Sequence, residues 1–212
     1  MVNIVSFTLG PVQTNAYLIA DPETGEAAVI DPGWDGQVIL ASARQKGWRI
    51  GHLWYTHGHF DHMGGAAAIA DAINPLPLIG LHPLDHDLWK IGGGAKLFGF
   101  KIDPGPEPGI DFYDEQLLHL GSIQIKVLTC PGHTPGHCAF YISSANVLFS
   151  GDLIFQGSVG RTDLPGGDFN TLADSIQRKI FVLPDETRIL SGHGPETSVG
   201  FEKKYNPFVG SR

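Results

Sequence analysis

Short apolar runs at residues 3–8, 15–20 and 26–30, set apart by Gly-Pro and Pro-Glu-Thr-Gly turns, predict a strand meander at the start of the chain. Residues 36–46 then predict a helix stopped by Gly47, and the apolar and aromatic run 50–55 predicts another strand. Beyond it Met63, Ala66, Ile69, Ala70 and Ile73 recur at helical spacing until Asn74-Pro75 ends the pattern. From 82 to 118 regular periodicity is lost: Gly92-Gly93-Gly94 and the Pro- and Gly-rich segment 103–109 predict an excursion with at most one helix. Strand-like runs resume at 123–128, 139–142, 147–149 and 188–190. Between the last two, Leu172, Ile176 and Ile180 form the apolar line of a helix with a Thr171-x-x-Asp174 capping signal, closed by Pro184. The two halves thus repeat a scheme of strands followed by helices. A four-layer αββα sandwich of the α+β class satisfies that order, although periodicity does not single it out.

Composition narrows the class without changing the element order. With 212 residues, 42% of them apolar and only 17% charged, the chain predicts one globular domain over 1–212 and excludes fibrous or disordered classes. Lys and Arg number 14 against 22 Asp and Glu, with no basic stripe, so nucleic acid is not an expected partner. The first fifteen residues lack the charged and apolar regions of a secretory signal, and no run approaches the roughly 18 apolar residues of a membrane span. The expectation is a cytoplasmic protein, monomeric or a small homo-oligomer, with Cys130 and Cys138 as free, buried thiols.

The one excess in composition is histidine, at 10 residues. His57, His59, Asp61 and His62 fall within six positions of Thr56-His-Gly-His-Phe-Asp-His-Met-Gly-Gly65, on the loop between a predicted strand and a predicted helix. Neutral imidazoles and a carboxylate at a strand end can face a common point, and zinc, iron or manganese all accept such donors. Three further donors follow apolar runs: His133 in Cys-Pro-Gly-His-Thr-Pro-Gly, Asp152 in Phe-Ser-Gly-Asp and His193 in Leu-Ser-Gly-His-Gly. Seven ligands of which one carboxylate is shared would complete two metal sites with a bridging solvent.

The order His-x-His-x-Asp-His, then a distant His, Asp and His, resembles the metallo-β-lactamase superfamily along almost the whole chain. The resemblance implies the αββα sandwich and a binuclear centre at one edge. His57, His59 and His133 would hold one divalent ion, Asp61, His62 and His193 the other, with Asp152 bridging and zinc the first expectation. Asp61, orienting a bridging hydroxide, and Asp152 would be the catalytic residues, and Asp31 in Val-Ile-Asp-Pro-Gly is similar to the aspartate that supports the family's ligand loop. Within the family, β-lactamases carry Cys or Ser where Asp152 stands. Gly160-Arg-Thr-Asp-Leu-Pro165 is similar to the glyoxalase II and persulfide dioxygenase branch, and Ser191-Gly-His-Gly-Pro-Glu-Thr197 to short glyoxalase II proteins. The activity implied is hydrolysis of S-(2-hydroxyacyl)glutathione, S-D-lactoylglutathione first, with a small-molecule thioester as partner. A mononuclear-iron persulfide dioxygenase and a lactonase are the alternatives. The chain stops about fifteen residues after Thr197, before the helical region that holds much of the glutathione site in longer relatives. Residues 89–113 are a candidate lid, Arg161 a candidate contact for a substrate carboxylate or a member of a structural ion pair, His82, His86 and His119 are given no role, and His137 is expected in the core or behind the ligands.

Overall fold

Period-two alternation divides the strands' side chains between two faces, and the division builds the layers. The computed structural model describes residues 2–211. In its first sheet β1 (Asn3–Leu9), β2 (Thr14–Ala20), β3 (Glu26–Ile30), β4 (Arg49–Trp54), β5 (Leu78–Leu81) and β6 (Ile110–Asp111) lie side by side in chain order. The second sheet contains β7 (Leu117–Leu120), β8 (Ile123–Thr129), β9 (Cys138–Ile142), β10 (Val147–Gly151), β13 (Arg188–Ser191) and β14 (Thr197–Ser198), in the order β14-β13-β10-β9-β8-β7. A separate hairpin pairs β11 (Ile154–Phe155) with β12 (Ser158–Val159).

Tyr17 and Ile19 of β2, Trp54 of β4 and Cys138, Phe140 and Ile142 of β9 meet in a core between the sheets. The opposite faces are covered by helices. Ala16, Leu18 and Val29 pack under α1 (Gly36–Lys46) and α2 (Ala66–Ala70), whereas Ala139, Tyr141 and Leu148 pack under α4 (Phe169–Ser175) and α5 (Val199–Tyr205). Three apolar layers between four layers of structure make the expected αββα sandwich.

Three of the helices run as crossovers between parallel strands: α1 joins β3 to β4, α2 joins β4 to β5, and α4 joins β10 to β13. Parallel pairing therefore brings the carboxyl ends of β3, β4, β10 and β13 to one edge, where the chain emerges at Asp31, His57, Asp152 and His193. The sheets are stitched there, since Thr14 bridges to His193 and the Asn15 amide donates to the Gly192 carbonyl at 2.7 Å.

Some elements depart from the sequence expectation. The helix expected from Met63 to Ile73 is only Ala66–Ala70, preceded by a 3-10 turn, Phe60–His62. Its shortness follows from Gly64 and Gly65, which pack against the backbone of Pro32, Gly33 and Trp34 so closely that a side chain at Gly64 would collide and one at Gly65 would be tight. The cap of α4 is Asp168, whose side chain accepts from the Thr171 amide, not Thr171. The excursion does hold one α-helix, α3 (His86–Lys90), but also 3-10 turns and the strands β6 and β7, too short to leave an alternation.

Phe140 is fully buried at the centre of the intersheet core, in contact with Trp54 and Phe112 at ring separations of 6.0 and 5.4 Å. Phe140→Ala is expected to lower unfolding free energy by about 3–5 kcal/mol, measured by urea denaturation.

Candidate metal centre

All seven side chains expected from the sequence converge at the stitched edge. His57, His59, Asp61 and His62 come from the loop after β4, His133 from the β8–β9 loop, Asp152 from the end of β10 and His193 from the end of β13. Three overlapping sets have ligand atoms within 4.8 Å of one another: His57, His59 and His133; His57, His62 and Asp152; and Asp61, His62 and His193.

Hydrogen bonds made by the far side of each ring decide which nitrogen faces inward. Nδ1 of His133 lies 2.7 Å from the Arg161 carbonyl and must carry the proton, which leaves Nε2 as a lone pair. The Thr56 hydroxyl donates to Asp31 Oδ2 at 2.7 Å and so accepts from His57 Nδ1 at 3.0 Å, which leaves His57 Nε2 bare as well. These two lone pairs are 3.2 Å apart, and His59 Nδ1 is 2.9 Å from His133 Nε2. In the same way His62 Nδ1 donates to Asp31 Oδ2 at 2.9 Å and aims Nε2 at Asp152 Oδ1, 3.3 Å away. Both of those inward atoms are buried without a hydrogen-bond partner. The converging lone pairs of His57 and His133 and the orphaned Asp152 oxygen are what a cation would satisfy, so the donor set fits divalent metal ions.

Asp152 lies between the sets, with Oδ1 near His62 and Oδ2 3.7 Å from His133 Nε2 and 3.6 Å from His193 Nε2. Asp61 Oδ2 accepts from the Thr14 hydroxyl at 3.0 Å and lies 3.2 Å from His193 Nε2. Asp31 is placed as expected for the loop's support. Its carboxylate takes the Thr56 amide at 2.7 Å, the Thr56 hydroxyl and His62, and its backbone holds a left-handed φ of 49° to do so.

Burial and charge pull the imidazoles in opposite directions. Burial, reinforced by neighbouring imidazoles, holds His57 and His137 well below the usual histidine range, and His59 is lowered to about 3. Burial would lower His62 too, but the carboxylates of Asp152, Asp61 and Asp31 outweigh it and hold the ring well above that range. His193 is raised against its burial by Asp61 and Asp152.

A cavity of about 370 Å³ opens over these groups. Its floor is His59, Asp61, His133, Asp152 and His193, and its walls include Phe98, Phe155 and Leu164. Part of the candidate lid is built into this wall: Phe60 of the ligand loop stacks on Phe98 and Phe100, and its amide donates to the Gly93 carbonyl. Arg161 is at the cavity, but its guanidinium is held by both oxygens of Asp163, at 2.7 and 2.8 Å. A larger hollow of about 740 Å³ lies by β4 and α1, lined by Trp48 and Leu76 among others and remote from the ligand sets.

Two contributors escaped the sequence reading and a third was only partly read. Thr14 sits in an unremarkable strand start. His137, expected in the core or behind the ligands, accepts the Asp152 amide at 3.1 Å and stacks on His57. Asp85 is fully buried and bonded to two of the ligand loops. Each acts through tertiary proximity, and only the second histidine of Pro-Gly-His-Thr-Pro-Gly-His carried a local signal.

The buried neutral rings bind protons more readily unfolded than folded, so their contribution is present above about pH 6.5 and lost as pH falls towards the lowered values. The raised rings of His62 and His193 act oppositely, contributing below pH 6.5 and losing that contribution as pH rises through their folded values. Urea midpoints of the metal-free protein are therefore expected to fall on both sides of neutrality, at pH 5 and at pH 9.

The metallo-beta-lactamase superfamily profile matches residues 9–193. The chain is 36% identical over 212 residues to hydroxyacylglutathione hydrolase GloC of Haemophilus influenzae, covering 99% of both chains. It is 36% identical over 205 residues to the probable metallo-hydrolase YqgX of Bacillus subtilis, covering 95% of this chain and 94% of that one. Among solved structures, BLEG-1 B3 metallo-beta-lactamase superposes with a TM-score of 0.90 at 36% identity, covering 99% of both chains. The di-iron-bound form of TTHA1623 superposes at 0.88 and 40% identity, covering 96% of this chain and 99% of that one. ETHE1 from Myxococcus xanthus superposes at 0.81 and 25%, covering 98% and 84%. With the sandwich, the edge site and these likenesses in agreement, the chain belongs to the metallo-β-lactamase superfamily.

Proposed function

We propose that this protein is a metal-dependent thioester hydrolase that cleaves S-(2-hydroxyacyl)glutathione, S-D-lactoylglutathione first, into glutathione and a 2-hydroxy acid. The observation that carries the reading is the convergence of two ligand sets on Asp152 at the floor of one cavity. Likeness to a hydroxyacylglutathione hydrolase over 99% of both chains supports the substrate class. His57, His59 and His133 would hold one divalent ion, Asp61, His62 and His193 a second, and Asp152 both, with zinc the first expectation. Such a pair, when bound, supplies a water acidified from a pKa of 15.7 towards about 7 and a Lewis acid for the carbonyl.

The chain's own groups do the rest. Thr14 fixes the rotamer of Asp61 by donating to its Oδ2. Asp31, Thr56 and the Arg161 carbonyl hold the outer nitrogens of His62, His57 and His133 as proton donors, so the inner nitrogens stay available as ligands. Phe98, Phe155 and Leu164 give the acyl group an apolar wall and keep bulk water from the floor. Apart from Arg161, the titratable side chains lining the cavity are all in the ligand sets. A thioester suits such a site, because a thiol of reference pKa about 8.5 leaves as thiolate without a general acid.

Metal-loaded protein is expected to release free thiol from S-D-lactoylglutathione. Asp61→Ala should lower kcat/KM by about 10³-fold, the equivalent of roughly 4 kcal/mol of transition-state stabilisation. Absence of thiol release with zinc, iron or manganese would overturn the reading. The mononuclear-iron persulfide dioxygenase, favoured by the tight His57, His59 and His133 cluster with Asp152 at its side, would then predict one iron per chain and oxygen uptake. A chromogenic β-lactam belongs in the same assay, given the likeness to BLEG-1.

A further inference from the structure

We infer that Asp85 is a positioning residue for one half of the metal centre: it sets the spacing of the two loops that bring His57 and His59 against His133. The inference rests on the two-ion reading above. Asp85 ends the 3-10 turn Pro83–Asp85 that leads into α3, and its side chain is fully buried. Oδ2 accepts from the Gly58 amide at 2.9 Å and from the Thr134 hydroxyl at 2.7 Å, while Oδ1 accepts from the Gly136 amide at 2.7 Å. Gly58 is the residue between His57 and His59; Thr134 follows His133 directly. One carboxylate therefore grips both loops one residue away from the ligands themselves.

The fit is close enough to dictate neighbouring residue types. A Cβ at Gly136 would lie 2.7 Å from Asp85 Oδ1, and one at Gly58 would lie 3.0 Å from the Asp85 carbonyl oxygen. A side chain at Gly136 would force the carboxylate aside, and one at Gly58 would press on the Asp85 backbone. Among the described residues no cationic side chain pairs with Asp85, so three donated hydrogen bonds are its whole compensation for burial. A buried charge held in this way is a rigid clamp, because losing any donor leaves it under-compensated. None of its bonds reaches the loop-end carrying His193 or the side chains of Asp61 and His62. Asp31 bonds directly to His62 and reaches His57 only through Thr56, and none of its bonds goes to the His133 loop, which leaves the spacing of that loop from His57 and His59 to Asp85.

Zinc titration of demetallated protein against a chromophoric chelator tests this, with Thr134→Val as the main variant, Asp85→Asn as the stronger one, and thermal unfolding in parallel. Wild type should bind two equivalents. Thr134→Val should weaken one of them about 10–100-fold and leave the other unchanged, and Thr134→Ser, which keeps the hydroxyl, should restore it. Glu202→Gln is the control: Glu202 is another fully buried carboxylate, bonded to Gly157, Thr197 and Asn206. It should lower the melting temperature with both equivalents intact. Equal weakening of both equivalents in Thr134→Val, or of neither, overturns the inference. A folded wild type that binds fewer than two equivalents overturns the two-ion reading itself, and this inference with it.

Discussion

Everything at the working edge depends on burying imidazole lone pairs and carboxylates together, without enough protons to satisfy them. Two ring nitrogens crowd to within 2.9 and 3.2 Å of His133 Nε2, and two buried inward atoms, His62 Nε2 and Asp152 Oδ1, have no hydrogen-bond partner. Left alone such an arrangement repels itself and would spread. It is kept together by outer contacts that fix each ring from behind: Asp31 and Thr56 for His62 and His57, the Arg161 carbonyl for His133, Thr14 for Asp61. The sandwich beneath is the rigid support for those contacts, which is why its parallel strands all deliver their ends to the same side.

The seven side chains that converge were legible in the sequence because several share one loop and the others follow apolar strands directly. His57, His59, Asp61 and His62 announce metal chemistry by density alone, and His133, Asp152 and His193 complete a recognisable order. The layer scheme was legible for a similar reason. Of the long strands β8 keeps its alternation and β2 shows a continuous buried run, and α1 keeps a helical period between strands whose parallel pairing then demands a crossover.

What stayed hidden was set by contacts distant in sequence. Asp85 stands in His-Pro-Leu-Asp, a segment with turn chemistry and nothing else to mark it, yet it bonds to residues 27 to 51 positions away. Thr14 and Asn15 read as a strand start, although they tie the first sheet to Gly192 and Asp61. The short α2 was overestimated because its apolar spacing continues through Ile73, while the packing of Gly64 and Gly65 on Pro32 to Trp34 delays its start. Local pattern cannot report a constraint that another segment of chain imposes.

The stitch between Thr14 and His193 also changes what a bound cation would mean mechanically. Four of the ligands hang from the first sheet and three from the second, so a pair of ions would act as a rivet through the two halves of the chain at that edge. At the opposite edge the halves are joined by apolar packing and by hydrogen bonds from Gly121 and Ser122 to Glu26 and Asp21, and among the described residues no ligand set lies there. Stability added by the ions would consequently be unevenly spread, greatest for strand ends β4, β10 and β13 and least for the far ends of the same strands. Amide hydrogens along a single strand would then report the presence of metal with a gradient, slow to exchange at one end and unaltered at the other.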